Sequence, residues 1–165
     1  CWRRAPKTLP QRQVKMPSKS DLTVKHRGPP PLEGAAPCPC QSGETHAACC
    51  GPYLAGSRQA PTAEALMRSR YTAYALQHVD YLLRTHAATT RASVHRQDIA
   101  TWAAETRFVG LEVLVTKAGG DEDQRGEVTF VARMRGAEGA SVMCERSRFE
   151  RHGDRWFYVD GDQLS

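Results

Sequence analysis

No stretch of this sequence approaches the roughly 18 to 20 uninterrupted apolar residues that a membrane-spanning helix requires. The opening Cys1-Trp2-Arg3-Arg4 lacks the apolar block of a secretory signal. A Gly-rich phosphate loop is also missing, as is any internal repeat, which argues against a P-loop enzyme and a repeat array. A catalytic constellation is equally hard to find: His78, His86, His95 and His152 are scattered, and Cys144 sits mid-strand without an assignable base. The expectation from these absences is a soluble, cytoplasmic protein with no membrane span.

What is present is unevenly distributed. A chain of 165 residues that is 40% apolar can build one ordinary core with a segment to spare. Its formal charge of +5 resembles a nucleic-acid signal until it is divided along the chain. Residues 1 to 36 hold eight Lys/Arg against Asp21 and Glu33, a net +6, whereas the other 129 residues hold 15 basic and 16 acidic side chains, a net −1. The basicity belongs to a Pro-rich, aperiodic tail, read as a disordered extension over 1–36. Its functional reading is an electrostatic arm for RNA, the ribosome or anionic lipid.

From Pro61 the sequence becomes periodic. Thr62 fits a helix N-cap, and Ala63, Leu66, Met67, Arg70 and Tyr74 recur at helical spacing to about Gln77. Shorter helices are expected near Val79–Thr85 and His95–Glu105. From Phe108 the period changes to two. Val109, Leu111, Val113 and Val115 alternate in a first strand, and Val128, Phe130, Ala132 and Met134 in a second. A third strand covers about Ala140–Arg151, and a fourth Trp156–Asp160. Three helices followed by strands joined through short turns predict an α+β domain over 60–162, an antiparallel sheet with helices on one face.

Four of the six cysteines fall within 13 residues: Cys38, Cys40, Cys49 and Cys50. Two thiolates from a tight turn and two from an adjacent pair can converge on one ion, and four soft sulfur ligands favour tetrahedral zinc. Neighbouring cysteines bridge each other poorly, although a bridge between the two pairs stays open in an oxidising compartment. One Zn2+ held by four sulfurs is a closed, structural site. His46 lies inside the loop as a surface or packing residue.

Arg70 projects into the apolar stripe of its helix, and Glu145 shares a strand face with Met143, Ser147 and Phe149. Two charges in apolar company predict an Arg70–Glu145 ion pair across the helix–sheet interface. Such a pair either fixes packing alone or forms the polar floor of a pocket lined by Tyr71, Tyr74, Tyr81, Trp102, Phe108, Trp156 and Tyr158.

Several segments together resemble the YchJ family of bacterial proteins. They are Cys-Pro-Cys-Gln-Ser-Gly with His-Ala-Ala-Cys-Cys-Gly-Pro-Tyr (38–53), Ala-Leu-Met-Arg-Ser-Arg-Tyr-Thr-Ala-Tyr (65–74), Gly-Leu-Glu-Val (110–113), Glu-Arg-Ser-Arg-Phe (145–149) and Trp-Phe-Tyr-Val-Asp-Gly (156–161). The resemblance implies a SEC-C zinc motif over 37–53, with Cys38, Cys40, Cys49 and Cys50 as ligands, followed by a cone-shaped domain similar to nuclear transport factor 2. The motif is also similar to the zinc tail of the SecA translocation ATPase, where it contacts other proteins. Where relatives often show His-Pro after the second helix this sequence has Ala87-Ala88, so a catalytic role for that histidine could not operate here. The resemblance carries no established reaction with it. The combined expectation is a zinc-binding accessory protein rather than an enzyme, whose SEC-C motif meets another protein and whose cone takes a small ligand or peptide. The competing expectations are an enzyme using Arg70 and Glu145, or RNA association through the tail.

Overall fold

The structure is a computed structural model that describes residues 35–165. The tail read as 1–36 falls almost wholly outside the described residues. Two small elements come first: a 3-10 turn at His46–Ala48 and the short helix α1 (Gly51–Ala55). Three helices follow, α2 (Ala63–Ala75), α3 (Val79–Arg84) and α4 (Arg96–Glu105), then four strands, β1 (Arg107–Ala118), β2 (Arg125–Gly136), β3 (Gly139–His152) and β4 (Arg155–Gln163). The strands form one antiparallel sheet in the order β1-β2-β3-β4. Among the described residues no helix is long and apolar enough to cross a membrane.

Helix α2 is the centre of the molecule. Thr62 caps it, its side chain accepting from the Ala65 N–H at 3.1 Å, and Glu64 complements the first turn. Leu66, Met67 and Tyr71 are buried with Ser69, Arg70 and Thr72, so nearly every side of the helix is covered. One side meets the sheet; the opposite side receives the cysteine-rich segment and α3. The close approach of its N-terminus to the β1–β2 hairpin depends on Gly119, at φ 86°, whose carbonyl accepts from the Ala63 N–H at 2.9 Å. A Cβ there would sit 2.6 Å from that of Ala63, so the position excludes a side chain for steric as well as conformational reasons.

The inner face of the sheet carries the expected row of β2, with Val128, Phe130, Ala132 and Met134 all buried. Strand β1 departs from simple alternation. Its pairing with β2 shifts between Phe108 and Gly110 and again between Val113 and Val115. Each extra residue reverses which side the following chain presents. Leu111 is therefore buried while Val109 and Val115 are 41% and 58% exposed, so the expected Val109-Leu111-Val113-Val115 row does not hold. Strand β4 runs beyond Asp160 to Gln163, and its outer edge is met by the chain after α3. The Tyr158 N–H donates to the Thr85 carbonyl at 2.9 Å and the Ala87 N–H to the Tyr158 carbonyl at 2.8 Å, a short parallel pairing around His86. This contact brings His86 and Thr90 to the end of a cavity between α2 and the sheet.

Candidate functional site

The cysteine-rich segment is built from two tight pieces of backbone. The Gln41 N–H donates to the Cys38 carbonyl at 3.0 Å and the Cys38 N–H to the Glu44 carbonyl at 2.9 Å, while Gln41 (φ 57°) and Gly43 (φ 91°) take left-handed conformations that fold the chain back. Thr45 caps the 3-10 turn through the Ala48 N–H, and Cys50 leads into α1, its carbonyl accepting from Tyr53 and Leu54 at 3.1 Å. The result aims Cys38, Cys40, Cys49 and Cys50 at one point.

Their four sulfur atoms lie within 4.8 Å of one another, with Cys40–Cys49 at 3.5 Å and Cys49–Cys50 at 3.7 Å. A tetrahedral tetrathiolate with metal–sulfur bonds of about 2.3 Å has sulfur–sulfur edges of about 3.8 Å, so the donor set fits a single ion. The four are free thiols rather than disulfides. Electrostatics points the same way. Hydrogen bonds from Cys38 and Cys50 pull the Cys40 thiol down, and contacts with Cys38 and Cys40 push Cys50 up. Burial, more than any neighbour, pushes Cys49 up to about 11. So crowded a group cannot carry four negative charges without a cation. The Ser42 hydroxyl donates to Cys49 Sγ at 3.2 Å, while His46 stands 4.0 Å from Cys38 Sγ, beside the donor set rather than in it.

Arg68, Arg84 and Gln41 fasten the segment to the domain, and Cys38 Sγ lies 3.8 Å from Thr72 Oγ1 of α2. Arg68 donates to the Cys40 carbonyl at 3.2 Å while its Nε holds Glu64 at 2.8 Å. Arg84 reaches back to the Leu54 carbonyl at 2.7 Å. The Gln41 carboxamide occupies the first irregularity of β1, donating to the Val109 carbonyl at 3.3 Å and accepting from the Leu111 N–H at 3.2 Å. It supplies the pairing that the bulge leaves open. Residues 41–45, by contrast, have their outer surface in solvent.

The second feature is a cavity of about 370 Å³ between α2, α4 and the inner face of the sheet. The structure places Arg70, Tyr71, Tyr74, Trp102, Phe108, Glu145 and Tyr158 on its wall. Tyr81 and Trp156 lie elsewhere. Tyr81 is buried on the α3 side of α2, where its hydroxyl meets Ser69 Oγ at 2.7 Å and its ring faces Arg84. Trp156 is buried at the entry to α2, its indole donating to the Pro61 carbonyl at 3.0 Å. Sequence reasoning missed Phe130 and Ser147, whose alternation with residues already chosen could have found them. It also missed His86, which no local pattern could have revealed.

The expected Arg70–Glu145 ion pair does not form. Arg70 Nη1 donates to the Leu82 carbonyl at 2.8 Å and to Thr85 Oγ1 at 2.7 Å, and the guanidinium lies over the Tyr158 ring, 4.6 Å from its centre. Glu145 Oε1 accepts from Ser147 Oγ at 2.5 Å and from the Tyr158 hydroxyl at 3.4 Å. Tyr158 thus touches both charges, and burial with the Glu145 charge raises its phenol. Glu145 also lies against Gly161, where a Cβ would fall 2.6 Å from its carboxyl carbon. His86 is buried at the same end of the cavity, its ring edge-on to Tyr158 and Nε2 3.0 Å from Thr90 Oγ1. Because that hydroxyl donates onward to the Val159 carbonyl at 2.7 Å, Nε2 carries the proton and donates. Burial first, then Arg70 and Arg91, hold the imidazole down at about 4, so it is neutral at pH 7.

Two family descriptions match the chain: "YchJ, middle NTF2-like domain" over residues 62–161 and "SEC-C motif" over residues 36–52. The chain is 47% identical over 131 residues to a UPF0225 protein of Chromobacterium violaceum, covering 78% of this chain and 94% of that protein. A UPF0225 protein of Geobacter sulfurreducens is 40% identical over 124 residues, 75% of this chain and 77% of its own. Among solved structures, a SEC-C motif containing protein from Rhodopseudomonas palustris superposes with a TM-score of 0.71 at 39% identity, covering 78% of this chain and 98% of that one. A SEC-C motif containing protein from Psychrobacter arcticus gives 0.68 at 26% identity, with coverages of 80% and 85%.

Proposed function

Because this chain belongs to the YchJ family, with a SEC-C segment ahead of an NTF2-like domain, we propose that it is a zinc-loaded accessory protein that meets another protein through the SEC-C segment and holds a small ligand or peptide in the cavity behind it. The observation that carries this reading is the convergence of four sulfurs within 4.8 Å beneath an exposed loop. Zinc is favoured over other ions by the all-sulfur donor set. Cys38, Cys40, Cys49 and Cys50 would hold it, and its contribution there is to fix the loop, since four protein ligands leave no position for a reacting water.

The reading is tested by elemental analysis together with partner capture. One zinc per chain is expected for the purified protein, and the double substitution Cys49→Ser, Cys50→Ser should lose both metal and partner. Glu44→Arg, on the exposed side of the loop, should keep the metal and lose the partner. Capture that persists without metal would remove the SEC-C segment as the contact.

A second reading, an enzyme acting on a small apolar substrate, draws support from Glu145, which Ser147, Tyr158 and the bare backbone of Gly161 fix in the cavity wall. It requires that Glu145→Gln abolish turnover while leaving stability intact.

A further inference from the structure

Arg70 is the one buried arginine of the described core, 6% exposed, and among the described residues it pairs with no carboxylate. Its protein contacts are neutral: a carbonyl, a hydroxyl and the face of a tyrosine. A buried cation is ordinarily matched by an anion, because neutral hydrogen bonds only partly replace the water it has lost. This cation borders the cavity. Nη1 makes both of its hydrogen bonds, which leaves the other nitrogens of the guanidinium fork for a further partner.

The surroundings narrow what that partner can be. Arg91, exposed and outside the cavity wall, holds the His86 carbonyl through Nε and Nη2 at 3.2 and 2.7 Å, so a second guanidinium stands behind His86. His86 is kept neutral with Nε2 committed to Thr90, and Tyr158 covers its other side. The acidic group of the cavity, Glu145, is already bound by Ser147 and Tyr158. Its charge disfavours a second negative charge on a ligand, and one guanidinium matches one carboxylate more closely than a doubly charged phosphate. Apart from Gln163 and the hydroxyls of Tyr71 and Tyr74, the rest of the wall is apolar. Tyr74, Trp102 and Phe108 form an edge-on and stacked cluster with centres 4.9 to 5.8 Å apart. A volume of about 370 Å³ lies at the small end of ligand sites.

We propose that the cavity binds a small apolar or aromatic monocarboxylic acid, its carboxylate on Arg70 and its apolar body against Tyr74, Trp102 and Phe108. The proposal rests on the reading of this cavity as a ligand site and gives that site its chemical class. The bound carboxylate completes the partner set of Arg70 and partly offsets the positive field that keeps His86 neutral.

The experiment titrates the full chain, loaded with zinc, with phenylacetate, hexanoate, phenylacetamide and phenethylamine, following side-chain NMR signals of Trp102 and the His86 ring. Phenylacetate and hexanoate should perturb both residues and bind about tenfold or more tighter than phenylacetamide, the loss expected when a charge-assisted hydrogen-bonded pair is replaced by a neutral one. His86 should also titrate nearer to neutrality with the acid bound. Arg70→Gln should lose this preference for acid over amide. Because that variant also gives up the contacts to Leu82 and Thr85, the wild-type comparison of acid with amide and the His86 titration stand independently of its folding. Equal binding of acid and amide, preference for phenethylamine, or an unmoved His86 titration would overturn the acid assignment while leaving a ligand site. Failure of all four probes to perturb the cavity would overturn both.

Discussion

The Tyr158 ring lies against the guanidinium of Arg70, 4.6 Å from its centre, while its hydroxyl reaches Glu145 at 3.4 Å. One side chain of β4 therefore relates two charges that do not pair with each other. The ring face is the stronger of its two contacts, since a desolvated cation–π interaction is worth about 2 kcal/mol and a hydrogen bond at the long end of the range much less. Tyr158→Phe should cost well under about 1 kcal/mol, whereas Tyr158→Leu should cost about 2 to 4 kcal/mol through the lost cation contact and the void. Urea unfolding of the two variants measures the difference; equal losses would show that the hydroxyl, not the ring face, is what Arg70 and Glu145 require.

Gln41 ties the cysteine-rich loop to the irregular part of β1. Gln41→Ala leaves the Val109 carbonyl and the Leu111 N–H without their side-chain partner and should cost about 1 kcal/mol. Hydrogen exchange is the sharper measurement. Exchange of the Leu111 amide should accelerate while that of Val128, in the middle of β2, changes little.

Buried His86 gives stability a definite pH dependence. Its folded-state value, about 4, lies below the ordinary 6.5 because of burial and the charges of Arg70 and Arg91, with neutral Thr90 and Tyr158 completing its surroundings. The unfolded chain binds a proton that the folded chain refuses, so this contribution is complete above about pH 6.5 and is lost as pH falls toward 4. Its full size is on the order of 3 kcal/mol. Denaturant midpoints measured between pH 7 and pH 4 should fall, and His86→Gln should flatten that fall. An unchanged profile in the variant would assign the acid sensitivity to other groups.

Gly161 is required by a diagonal neighbour on β3, Glu145. In Gly161→Ala the new methyl group meets the Glu145 carboxylate, so Glu145 must leave its place beside Ser147 and Tyr158. A destabilisation of about 1 to 3 kcal/mol is expected from overpacking. Glu145→Gln keeps the steric conflict, whereas Glu145→Ala should relieve most of the penalty in a double-mutant cycle.

Much of this arrangement was legible in the chain itself, for local reasons. Thr62 announced α2, the β2 row from Val128 to Met134 kept its period, and the cysteine spacing pointed to one centre. What the pattern could not supply was depth and order of approach. A helical projection places Arg70 on the inner face and strand alternation does the same for Glu145, but neither shows that Tyr158 lies in between. That position follows from the shift in β3–β4 pairing between Arg148 and Phe149. The β1 irregularities reversed Val109 and Val115 for the same reason: an inserted residue is invisible to a rule that counts by two. Tyr81 sits on a helix too short for its period to say which neighbour it meets. His86 reaches the cavity through a pairing with residues some 70 positions away.

The two contacts at the margins of the sheet also bear on how this protein behaves at high concentration. An unpaired outer strand invites another chain to extend the sheet. Here the segment at Thr85–Ala87 occupies part of one border, and the Gln41 amide imitates a peptide unit on the other. Withdrawing the loop that carries Gln41 would bare a hydrogen-bonding rim beside Val109, so the seated cysteine-rich segment also shields that border from a second chain.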